Sequence, residues 1–120
     1  MKQLNIFILF FLFALMVGCE DEKTDNSTSD TINVILKNTD TYLHDFGLMG
    51  IEDGATIKIE AQHAASSSMS RNNMNRLIYN YQPKGNFTGN DKVQIEQCLS
   101  PGDASCYATT VTTINFTITD

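Results

Sequence analysis

Two cysteines, Cys98 and Cys106, are the side chains of this 120-residue chain whose spacing most clearly allows chemistry. They enclose seven residues, Leu99 to Ser105, with the turn dipeptide Pro101-Gly102 in the middle. A hairpin loop of that size brings two Cβ atoms to the roughly 3.8 Å that a disulfide needs. The competing uses are a pair of free thiols and a metal site. A metal site wants three or four ligands, and neither His44 nor His63 is near in sequence. Other reactive types do not gather. Ser66-Ser67-Ser68 lacks the surroundings of a nucleophile elbow, no phosphate loop is present, and Glu52-Asp53 falls at a turn where water solvates it. Without a visible set of acid, base and nucleophile, the expectation is a non-catalytic protein with no cofactor and no metal.

The third cysteine, Cys19, stands at the end of a different kind of segment. Lys2 opens the chain, Leu4 to Val17 is apolar except for Asn5, and Gly18-Cys19 precedes the acidic run Glu20-Asp21-Glu22. A positive start, a short apolar core and a small residue before the cut describe a secretory signal peptide. The apolar run is also short for a membrane-crossing helix, which takes about 20 residues. Met16-Val17-Gly18-Cys19 resembles the lipobox of bacterial lipoproteins. That resemblance implies diacylglycerol on the Cys19 thiol, removal of residues 1–18 and attachment to the membrane through acyl chains. It also leaves Cys98 and Cys106 as an even pair outside the cytoplasm, where oxidation to a disulfide is expected.

Cleavage before Cys19 leaves 102 residues, enough for one domain with a tail in front. It also removes one basic residue, leaving 7 basic against 14 acidic, a net charge of −7. Such a chain repels phosphate backbones, so nucleic acid is excluded as an expected partner. Residues 20–31 contain no apolar side chain, and residues 19–31 are therefore expected to be a disordered tether. The acidic cluster Glu20 to Lys23 resembles the surface-export signal of Bacteroidetes lipoproteins. It also resembles inner-membrane retention signals of other bacteria, and a solvated linker explains it as well.

From residue 32 onward the pattern is that of strands. Alternation or β-branched enrichment marks Ile32–Leu36, Thr41–Phe46, Thr56–Ala61, Leu77–Tyr81, Lys92–Cys98 and Tyr107–Thr119. The apolar phase changes between Val111 and Ile114, which predicts a bulge near Thr112-Thr113. The predicted core is Ile57, Ile59, Tyr81, Val93, Ile95, Ile114, Phe116 and Ile118. About seven short strands with turn-rich joints and no helix predict an all-β antiparallel sandwich over 32–120, with a small barrel as the alternative.

Tyr79-Asn-Tyr81-Gln-Pro83, followed by Phe87-Thr-Gly89-Asn-Asp91-Lys-Val93, resembles the Y-x-P…F-x-G-x-D-x-V segment of bacterial Ig-like and cadherin-like surface domains. The likeness spans roughly residues 77–119. It implies an Ig-like fold and a binding or adhesion role for a lipid-anchored protein of the outer membrane, on its surface or its periplasmic face. The partner it implies is an envelope protein or polysaccharide. A structural subunit of an envelope complex facing the periplasm is the alternative. Aspartates of this motif bind calcium in many relatives; Asp53 and Asp91 here read as turn formers.

Residues 62–76, rich in Ser and Asn, show neither apolar period and are expected to be a long exposed loop. Arg71, Asn72, Asn73 and Arg76 on that loop include both arginines of the chain. They form the predicted recognition surface, a positive spot on an acidic protein suited to a polar or anionic partner.

Overall fold

The computed structural model describes residues 26–48, 50, 53–100, 102 and 105–120. The predicted signal peptide, Cys19 and the acidic run lie outside the described residues. Seven strands form: β1 (Ser27–Lys37), β2 (Tyr42–Leu48), β3 (Gly54–Ile59), β4 (Ala64–Arg71), β5 (Arg76–Pro83), β6 (Gly89–Leu99) and β7 (Ala108–Thr119). They make two sheets, ordered β1-β7-β6-β3 and β2-β5-β4. The fold is an all-β sandwich with no helix among the described residues.

Alternation fills the space between the sheets. Strand β5 turns Leu77, Tyr79, Tyr81 and Pro83 inward, β6 turns Asp91, Val93 and Ile95 inward, and β7 turns Thr112, Ile114, Phe116 and Ile118 inward. The rings of Tyr81 and Phe116 stack across the sheets with centroids 3.9 Å apart, and Tyr42 meets Phe116 edge-on at 5.5 Å. Offset and edge-on ring pairs of this kind add about 0.5–1.5 kcal/mol beyond their buried area. Of the predicted core, Tyr81, Val93, Ile95, Ile114, Phe116 and Ile118 are buried and Ile57 is partly so.

Several expectations are corrected. Ile59 is 41% exposed, because β3 slips register between Ile57, opposite Ile95, and Ile59, opposite Gln94. The slip moves it off the inward face. No bulge forms in β7: its pairing with β6 runs without a shift from Gly89–Ile118 to Leu99–Ala108. The buried phase simply continues through a threonine, Thr112, and Val111 faces outward. Residues 62–76 are not a loop, since Ala64–Arg71 pairs with β5 as an edge strand. Serine suits that edge: only Ala64, Ser67 and Met69 turn toward the interior, and the Ser67 hydroxyl meets the buried Tyr79 hydroxyl at 2.9 Å. Strand preference is a matter of fitting a half-buried pleat, which neighbours decide. Burial pushes the Tyr79 hydroxyl up to about 12, so it stays protonated and able to donate.

Strand β1 departs from the antiparallel rule and pairs with β7 in parallel, from Ser27–Thr109 to Lys37–Thr119. It starts inside the stretch expected as tether. Residues 27–31 are exposed and held by backbone pairing, whereas Ile32, Val34 and Leu36 reach the core.

Candidate functional site

The strand order gives the sandwich two unlike ends. At one, the β2–β3, β4–β5 and β6–β7 connections meet. Asp53 ties them together. Its Oδ2 accepts from the Gly50 amide at 2.7 Å and its Oδ1 from the Ser100 amide at 2.8 Å. These two bonds hold its carboxyl below the usual carboxylate range. Arg71 reaches in from the end of β4 and donates to the carbonyls of Gly50 and Asp53 and to Asn75 Oδ1. Cys98 and Cys106 form the expected disulfide, with Cα atoms 5.5 Å apart, and close the β6–β7 connection. The Tyr107 amide donates to the Leu99 carbonyl at 3.1 Å just beyond it.

The predicted recognition residues sit at this end, in and beside the tight β4–β5 turn, and most of their polar groups face the fold itself. Arg76 Nε pairs with Asp45 Oδ2 at 2.7 Å, which with the Gly47 amide holds the Asp45 carboxyl below its usual range. Asn72 Oδ1 accepts from the Met74 and Arg76 amides, both at 3.0 Å, and so shapes the turn. Asn75 takes a left-handed backbone, φ 59°, to complete it. Asn73 is exposed. The positive spot expected from two arginines is therefore spent on internal contacts.

The other end is organised by Asp91. Asp91 is 7% exposed, and its carboxylate has no cationic partner among the described residues' ion pairs. Four donors satisfy it: the Gln62 and Lys92 amides on Oδ1 and the His63 amide and Tyr81 hydroxyl on Oδ2, each at 2.9 Å. A carboxylate has about four lone-pair sites, so none is left over. Burial, then the bond to Asp91, push the Tyr81 hydroxyl well up, which keeps it a donor. Asp91 is thus a turn former as expected, but the turn it caps is the distant β3–β4 corner. Gly89, at φ 133°, leads the chain into β6 beside the ring of Phe87, which stacks on His63 at 4.1 Å.

Where β3 leaves its sheet for this corner, it opens a groove of about 490 Å³. Glu60, Gln62 and His63 line it from the corner, Asn90 and Lys92 from β6, and Asn115 and Thr117 from β7, with Asp91 and Phe116 beneath. No motif or spacing in the sequence marks it. Its residues come from three segments, and the only local signal was the Gly89-Asn90-Asp91 turn.

No family model matches the chain, and no curated protein matches it. Among solved structures, the chain is similar to the cysteine protease inhibitor EhICP2 from Entamoeba histolytica. It is 8% identical, with 78% of this chain and 97% of that one covered and a TM-score of 0.44. The endo-fucoidan hydrolase MfFcnA4 H294Q of glycoside hydrolase family 107 is 12% identical over 78% of this chain, which spans 13% of the hydrolase, with a TM-score of 0.46.

Proposed function

We propose that this chain is a lipid-anchored, non-catalytic binding module of the cell envelope, an Ig-like sandwich held on the outer membrane by acyl chains on Cys19. The lipobox-like Met16-Val17-Gly18-Cys19 and the acidic mature chain support the anchor, since a net charge of −7 gives an anionic surface nothing else to hold. Strand order supports the Ig-like reading. The sheets β2-β5-β4 and β3-β6-β7 have the B-E-D and C-F-G arrangement of a constant-type immunoglobulin domain, with β1 added beside β7.

The groove beside Asp91 is the observation that carries the binding role. Gln62, Asn90, Asn115 and Thr117 line one concave site together with Ile59, Glu60 and Lys92. Such groups suit a hydroxyl-rich polysaccharide, and concave sites with few convergent polar groups are where ligands bind. An Asn90→Ala, Asn115→Ala double variant changes exposed or half-exposed side chains and keeps the fold. Retention on immobilised envelope polysaccharide should fall at least tenfold relative to the wild type. Equal retention would contradict the groove as the site.

A further inference from the structure

We propose that the disulfide end of the sandwich faces the lipid surface, so that the groove end points away from the membrane. This rests on the reading of Cys19 as the lipid-bearing residue. The first described residue, Asn26, is fixed at the disulfide end, where its carbonyl accepts from the Thr109 amide at 3.3 Å. The parallel pairing of β1 with β7 puts it there: Ser27 lies opposite Thr109, beside the Cys98–Cys106 bridge, and Lys37 lies at the far end opposite Thr119. Had β1 run antiparallel to β7, the chain would enter at the groove end.

Seven residue steps separate Cys19 from Asn26. In any conformation they span at most about 25 Å, at 3.3–3.6 Å per residue. Asn33 and Ile35, paired with the groove residues Asn115 and Thr117, lie six and eight steps along β1 from Ser27. At about 3.3 Å per residue the groove is roughly 20–26 Å beyond the entry point. To lay the groove end on the membrane, the tether would have to double back along nearly its whole contour. A flexible tether of this length averages about 15 Å end to end, so that arrangement is rarely reached.

The surface at the entry end fits the same partner. Leu48 (72%), Met74 (65%), Tyr107 (58%) and Leu99 (39%) are exposed there, and they are four of the seven large apolar side chains exposed among the described residues. Large exposed apolar side chains gathered at one end mark a contact surface, and a Tyr among aliphatic neighbours suits a headgroup boundary. The acidic residues of the tether select against anionic lipid, so the surface is a zwitterionic one.

The chain contains no tryptophan, which makes the test direct. The full-length precursor is processed in a lipoprotein-competent host, and the acylated protein is placed in phosphatidylcholine vesicles carrying a headgroup-quencher lipid. Single-tryptophan variants Met74→Trp, in the β4–β5 turn, and Gly85→Trp, at the groove end where an added Cβ meets nothing within 4 Å, report on the two ends. Tryptophan at 74 should be quenched several-fold more than tryptophan at 85. Equal or reversed quenching of acylated protein overturns the orientation alone. Absence of acyl mass on Cys19 overturns the anchor, and the orientation with it. Inserting twenty Gly-Ser residues before Asn26 should shrink the difference several-fold; an unchanged difference would overturn the tether as its cause.

Discussion

Each end of this sandwich is tied by one aspartate, and the two aspartates do the same job in different surroundings. Asp53 collects two backbone amides near the surface, with Arg71 and a disulfide sharing the task of holding three connections together. Asp91, itself buried, collects one buried and three part-buried donors and has no covalent support nearby. Water can replace Asp53 as a partner for its amides. Water replaces Asp91 less readily, because its side chain and its Tyr81 donor are buried and an unpaired buried donor costs about 1–3 kcal/mol. The groove end is therefore held by one buried residue, and the disulfide end by several contacts that share the task.

Asp91→Ala should accordingly be the most damaging single change, on the order of 3–5 kcal/mol from a total of about 5–15. Asp53→Ala should lower the melting temperature much less. Thermal melts of the two variants side by side break the comparison if they come out alike. Next in size is the core between the ends. Ile95→Ala should cost about 2–5 kcal/mol, whereas Ile59→Ala, on the slipped part of β3, and Lys92→Ala, on the outer face, should each cost under about 1. A severe Ile59→Ala would put that residue back in the core.

Breaking the disulfide should cost about 2–3 kcal/mol, the loop-entropy value for so short a closure. Its effect belongs to one end only. Amides around Leu99 and Tyr107 should lose hydrogen-exchange protection on reduction, while those of Gln62 and His63 keep theirs. Loss of protection at both ends would show that they are not independent. Smallest is the effect of acid. The Asp45 and Asp53 carboxyls have folded pKa values below the ordinary 3.8, so their contribution is complete above that pH and is lost as pH falls through the folded values. In an NMR titration the Gly50 and Ser100 amides, which bond Asp53, should shift with a midpoint below 3.8. A midpoint at or above it contradicts the bonds drawn to Asp53.

What the sequence disclosed follows the same division. Strands β3, β6 and β7 were legible because apolar side chains alternate along them, and the Cys98–Cys106 bridge was legible from spacing and parity. Strand β4 was not, because an edge strand over a tyrosine needs little apolar content and serine hides the period. Thr112 misled in the same way: a buried threonine looked like a break of phase. The Asp91 cluster was out of reach for another reason. Its acceptor and the Gln62 and His63 amides are 29 and 28 residues apart, and nothing local to residue 91 names the corner it caps. The arginines of the β4–β5 turn are the only ones in the chain, but their partners Asp45, Gly50 and Asp53 lie 31, 21 and 18 residues away in sequence.

The proposed separation of roles between a membrane-side end and an outward end stands on the proposed anchor at Cys19. Labelled palmitate fed to cells making the wild type and Cys19→Ala tests it most directly. Label should enter the wild-type protein and be absent from the variant; equal labelling of the two would contradict the lipid anchor and the orientation built on it.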